Sequence, residues 1–102
     1  MIPVNHKLWA LIKGRVLQAA DSVHDGIVLR FEDASTMHIK TPQPPSTADI
    51  ESVRGGSVAQ VRQQNTSLVL TFDSGKQLSL QTTEPSASVL LRDGDGKLEY
   101  AD

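Results

Sequence analysis

Two short stretches of this chain place cations beside glycines at matching points: Lys13-Gly14-Arg15 and, at an offset of 41 (54 − 13), Arg54-Gly55-Gly56. Arginine and lysine supply the fixed charge and clustered N–H donors that hold phosphate groups. Lys13, Arg15, Lys40, Arg54 and Arg62 are therefore the candidate binding residues, and a phosphate-bearing ligand such as nucleic acid is the chemistry they would serve. A structural role competes and is favoured, because each pair closes a short predicted helix, where a cation complements the dipole. Lys40 and Arg62 extend such a patch only if the fold turns them to the same side.

No other group reaches a spacing that chemistry requires. In Asp93-Gly94-Asp95-Gly96-Lys97-Leu98-Glu99-Tyr100-Ala101-Asp102, Gly96 matches the fixed glycine of an EF-hand calcium loop, with Asp93 and Asp95 at the third and fifth ligand positions. The first position then falls on Leu91, the last is Asp102 rather than glutamate, and the flanks read as strands. A hairpin turn is expected there, with no metal. His6, His24 and His38 share no ligand spacing, and none has a histidine counterpart in the other copy of the repeat. Ser22, His24 and Asp25 hold the residue types of a nucleophile, base and orienter but crowd into one turn, whereas a triad converges from separated segments. No glycine spacing fits a phosphate loop, so a non-enzymatic protein without cofactor is expected.

Composition narrows the class further. The chain has 102 residues, the size of one modest domain, with 38% hydrophobic and 22% charged residues. Aromatics make up 4%, so the core must rest on Val, Leu and Ile, and a multi-ring stacking surface is hard to build from Trp9, Phe31, Phe72 and Tyr100. The net charge of −2 lacks the positive balance that favours phosphate backbones. The absence of cysteine excludes disulfide frameworks, thiolate metal sites and cysteine nucleophiles. The apolar run Leu8-Trp9-Ala10-Leu11-Ile12 is far too short for a signal peptide or membrane span, so a cytoplasmic protein with no membrane partner is expected.

The elements that must position these residues are written twice. Gly26-Ile27-Val28-Leu29-Arg30-Phe31 returns through Met37-His38-Ile39-Lys40-Thr41, and Ser67-Leu68-Val69-Leu70-Thr71-Phe72 returns through Leu78-Ser79-Leu80-Gln81-Thr82, again at an offset of 41 (72 − 31). Alternation with period two makes each a hairpin with one buried face. Ahead of each lies a short helix: Asn5 caps one with Leu8, Leu11 and Ile12 apolar, and Ser46 or Thr47 caps the other with Ile50 and Val53 apolar. Between helix and hairpin, matching Val16 to Val58 gives an offset of 42 (58 − 16), which implies one position gained near Gly56 and lost before Ile27. In the turns, Gly75 suits a positive φ and Ala34 is the strained choice. Three prolines stiffen the linker Thr41-Pro42-Gln43-Pro44-Pro45. The tail, through Val89-Leu90-Leu91-Arg92 and Lys97-Leu98-Glu99-Tyr100, reads as a further hairpin suited to covering an open edge.

The expected architecture is mainly β: one domain over 1–102, with repeat units at about 3–43 and 44–84 and a hairpin at 86–102, forming a small antiparallel barrel or sandwich. A short helix feeding curved strands also has the outline of Sm-like and SH3-like barrels, by shape alone, since the Sm sequence motifs are missing. The expected function is a binding or assembly module, homo-oligomeric through strand pairing at open edges, with weak nucleic-acid binding of Sm-like type as a lesser expectation. The alternative is a protein-interaction module that takes a partner's strand. A calcium-binding protein, an enzyme and a propeller blade rank below these.

Overall fold

A computed structural model of the chain describes residues 2–102. The elements run α1 (His6–Ile12), β1 (Leu17–Val23), β2 (Gly26–Phe31), β3 (Thr36–Lys40), α2 (Thr47–Val53), β4 (Val58–Gln64), β5 (Ser67–Phe72), β6 (Gln77–Gln81), β7 (Val89–Arg92) and β8 (Leu98–Ala101). The two copies keep a constant offset of 41 from element to element, as from His6 to Thr47, Leu17 to Val58 and Gly26 to Ser67. The offset of 42 is a misalignment: Leu17 and Val58 are the counterparts, each facing the phenylalanine of its own hairpin and each followed by a bulge. Burial decides the register, because Leu17 and Val58 are buried while Val16 and Ser57 are only half-buried.

Both helices have seven residues, too few to hold in water without docking. The Asn5 side chain accepts from the Leu8 amide and starts α1. Ser46 starts α2 with a capping box, in which Asp49 accepts from the Ser46 amide. Leu8 and Ile12, and Ile50 and Val53, turn into the core.

The strands form two antiparallel sheets, β1-β2-β3-β7-β8 and β4-β5-β6. Their inner faces bury Ile27, Leu29 and Phe31 in the first copy and Leu68, Leu70 and Phe72 in the second; both phenylalanines are 1% exposed. The tail hairpin covers the edge of β3, with Met37 opposite Leu91 and His38 opposite Leu90. That cover leaves His38 and Lys40 half-buried, where alternation alone puts them on the solvent side.

Each helix reaches across to the other copy. Helix α1 packs on β4, and α2 packs on β1 as well as on β6 of its own copy. The crossing follows an internal twofold: the Gly14 amide donates to the Val58 carbonyl and the Gly55 amide to the Leu17 carbonyl, both at 2.8 Å. Lys13 and Arg54 cap the helices ahead of these glycines, whose φ values of 84° and 85° let the chain reverse.

All three longer turns have one pattern. Phe31, Phe72 and Asp93 each donate their amide to the carbonyl four positions on, and each accepts from the amide three positions on. That third residue, Ala34, Gly75 or Gly96, has φ of 71°, 87° or 84°. Gly96 thus fills the same turn position as Gly75. Among the described residues no helix is long and apolar enough to cross a membrane.

Candidate functional site

The five cations are dispersed, and four of them have partners within the fold. Arg15 is 16% exposed and joins Glu99 at 2.9 Å and Asp33 at 3.6 Å, tying the first copy to the tail hairpin. Arg54 donates from Nε to the Gln18 carbonyl at 2.9 Å and from Nη1 to Glu51 at 3.4 Å. Arg62 donates to the Gln60 side chain at 3.0 Å and to the Ile2 carbonyl at 3.0 Å. The Lys13 ammonium lies 5.0 Å from the centre of the Trp9 ring. Lys40 is half-buried in β3, with its backbone bonded to Ser88 and Thr83.

No shared partner joins any two of the five among the described residues. The antiparallel pairing around Val16 and Ser57 also sets the C-terminal ends of α1 and α2 at opposite ends of that short ribbon. The twofold explains the division of labour: Ala59 and Gln18 offer equivalent carbonyls, one taken by the Trp9 indole N–H at 2.7 Å and the other by Arg54. With Trp9 serving the first carbonyl, Lys13 is left to sit over the indole ring.

The acidic tail forms a turn. Asp93 Oδ1 accepts from the amides of Asp95 and Lys97, both at 2.9 Å, which spends the carboxylate on the hairpin. Glycine suits position 94, since a Cβ there would stand a tight 3.0 Å from the Asp33 carbonyl. Among the described residues no group of three His, Asp or Glu side chains is arranged to hold a metal. His38 Nε2 bonds Asp25 Oδ1 at 2.8 Å across the β2–β3 hairpin, and this contact, ahead of any other influence, holds the Asp25 carboxyl below its ordinary value.

The outer edge of β6 is bare of backbone partners among the described residues. In the first copy, the equivalent edge of β3 is sealed: the Lys40 amide donates to Ser88 at 2.8 Å and its carbonyl accepts from Thr83 at 2.9 Å. The counterpart of Lys40 is Gln81. The β5–β6 register repeats that of β2–β3, so the amides and carbonyls of Gln77, Ser79 and Gln81 point away from β5. Among the described residues no backbone group bonds to them. An open cleft of about 370 Å³ runs beside Ser79 and Gln81, walled by Pro44, Pro45 and Asp49. Leu78 and Leu80 face the core, while Gln77, Ser79 and Gln81 are exposed, so β6 carries no charge and no proline along its length.

Sequence alternation marks β6 as half-buried and the tail as an edge cover, but which edge the tail takes is a long-range choice with no local signal. No protein-family model, no curated protein and no solved structure matches this chain.

Proposed function

We propose that this protein is a non-enzymatic assembly module, in which two copies pair antiparallel through β6. The single observation behind this reading is the asymmetry between equivalent strands: β3 has its outer edge covered by β7, and β6 has no such cover among the described residues. Sheet edges are ordinarily guarded by charge, proline or a covering element. Strand β6 carries neither charge nor proline between Gln77 and Gln81, and α2, which packs beside it, leaves its outward backbone groups without a backbone partner among the described residues.

Pairing about Ser79 sets Gln77 of one copy opposite Gln81 of its partner, and Leu78 opposite Leu80. Residues directly opposite in an antiparallel pair share a face. Both leucine faces therefore stay on the core side, and the two three-stranded sheets become one of six. Helix α2 packs on both β6 and β1, and α1 packs on β4 with Lys7 over the Tyr100 ring of β8, so the partner strand must approach β6 on the side that α2 leaves free. The dispersal of the cations lends little to a nucleic-acid role.

A second reading is strand addition by a different protein at the same edge. The tail supplies its template, since β7 lays Val89 and Leu91 inward when it covers β3. Light scattering across a concentration series tests the dimer. The wild-type chain is expected to dimerise and Ser79→Pro, which removes an outward amide without touching the β5–β6 bonds, to remain a folded monomer. A wild-type chain that stays monomeric at high concentration would overturn self-pairing.

A further inference from the structure

A second edge, on the opposite side of α2, departs from the internal twofold in a different way. On β4 the outward edge is occupied by the entry segment of the chain itself. The Asn5 amide donates to the Val61 carbonyl and the Gln63 amide to the Pro3 carbonyl, both at 2.9 Å, with Val4 facing Arg62 in an antiparallel bridge. Arg62 fastens this segment through the Ile2 carbonyl. The corresponding groups on β1 are the Ala20 carbonyl and the Ser22 amide. The β1–β2 register matches β4–β5 position for position, so both groups point away from β2, and among the described residues neither has a backbone partner.

The segment that stands where Pro3-Val4-Asn5 would is Pro44-Pro45-Ser46, and it is held elsewhere. The Ser46 amide is turned to Asp49 by the capping box, whereas α1 has Leu8 at that position and its Asn5 amide is left for β4. Two successive prolines also fix φ at roughly −65°, away from strand values. A cleft of about 250 Å³ results between α2 and β1. Ala20, Ile27 and Ile50 form its apolar side, and Thr47, Glu51 and Arg54 its rim.

We propose that this cleft takes an extended peptide of a partner protein as a strand antiparallel to β1, with a small β-branched residue opposite Asp21 and a cation two positions before it. The chain supplies the template for the first preference in Val4. The Ser22 amide donates to the carbonyl preceding the β-branched residue, and the following peptide amide donates to the Ala20 carbonyl. The second preference follows from charge. Where β4 presents Arg62 to the entry segment, β1 presents Asp21, whose side chain is 54% exposed, and Glu51 on the facing wall is 57% exposed. Both acids have surface arginine partners, Arg30 and Arg54, and such pairs are held weakly enough to rearrange.

The test is a titration of the ¹⁵N-labelled full chain with the peptide acetyl-Lys-Pro-Val-Asn-Ala-amide, followed by amide shifts. Saturable shifts centred on Ser22, Asp21 and Ile50 are expected, with a slowed exchange of the Ser22 amide. Asp21→Lys weakens binding by about fivefold, the upper end for an exposed ion pair, and a peptide with Glu in place of Lys recovers it. Ser22→Pro abolishes the shifts. If that variant disturbs the β1–β2 pairing, Thr47→Trp on the rim of α2 fills the cleft and must abolish them instead. Shifts that survive Thr47→Trp, centre on Ser79 and Gln81, or never saturate would overturn the proposal. Because β6 lies outside this cleft, the outcome is independent of whether the chain dimerises.

Discussion

Val16 of the first copy and Ser57 of the second face each other in an isolated antiparallel bridge, and the internal twofold passes between them. On either side of it the Leu17 amide donates to Gly56 at 3.0 Å and the Val58 amide to Arg15 at 2.9 Å. Both helices thus reach across to the other copy, and the buried residues of the two copies form one continuous cluster. Phe31 and Phe72 occupy equivalent places in one shared interior. Phe31→Leu and Phe72→Leu should each lower stability by about 1 kcal/mol, by similar amounts, in a single cooperative urea transition seen by circular dichroism. Two separate transitions would show that the copies are energetically independent.

Ala34 has φ of 71° where Gly75 and Gly96 fill the same turn position. The left-handed region costs an L-residue roughly 1–2 kcal/mol, against roughly 0.5–1 kcal/mol for the added freedom of glycine in the unfolded chain. Ala34→Gly should therefore stabilise by about 0.5–1 kcal/mol, and Gly75→Ala should destabilise by a similar amount. A thermal melt of the two variants reads both signs.

Most of the local structure is legible in the sequence, because it is fixed by near neighbours. The alternation around Phe31 and Phe72, the caps at Asn5 and Ser46, and the glycine turns each depend on a few adjacent residues. What escapes is set at long range. Val16 and Leu17 offer two apolar matches to Val58, and only the shared core selects Leu17. Arg15 reads as a surface cation, since its partner Glu99 lies 84 residues away on β8. The crossing of the helices and the bare edges of β1 and β6 arise from how the copies meet, which neither copy records alone.

Arg15 and Glu99 are largely enclosed where the first copy meets the tail. Among the described residues Arg15 Nη1 has no partner, and Glu99 Oε2 has none beyond Arg15 at 2.9 Å. Removing one member leaves the other charge poorly solvated, a loss of roughly 3–5 kcal/mol for a fully buried pair. Glu99 is 25% exposed, so water softens the effect. Arg15→Ala should cost about 1–3 kcal/mol, and Arg15→Met combined with Glu99→Leu should recover most of it in urea unfolding. A double variant as unstable as the single one would show that Arg15 acts through packing alone.

Acid should loosen the β2–β3 hairpin first. His38 holds the Asp25 carboxyl below 3.8, chiefly through its hydrogen bond. Burial pushes Asp33 upward, but the bonds from Ser35 and the charge of Arg15 outweigh it, so Asp33 also lies below 3.8. A carboxyl lowered by folding stabilises above its unfolded value, and that contribution fades as pH falls through the folded one. Stability should thus decline below about pH 4. In carboxyl-carbon NMR titrations, His38→Ala should raise the Asp25 midpoint while leaving Asp33 unchanged.

Tyr100 reports on the closure of the tail against α1. Its hydroxyl accepts from Asn5 Nδ2 at 3.1 Å and donates to Asp102 at 3.4 Å, and the Lys7 ammonium lies 5.7 Å from the ring centre. Burial, aided by the carboxylate of Asp102 and opposed by Asn5, raises the phenol above 10.0. A group raised by folding favours the native state below its unfolded value and loses that contribution as pH climbs through the folded one. Tyr100 is the single tyrosine, so absorbance at the phenolate band follows it without interference. The native chain should titrate above pH 10 and the urea-unfolded chain at about 10, while Asn5→Ala, which removes the opposing hydrogen bond, should raise the native midpoint further. A native midpoint equal to the unfolded one would mean that β8 does not hold the ring against α1 in solution.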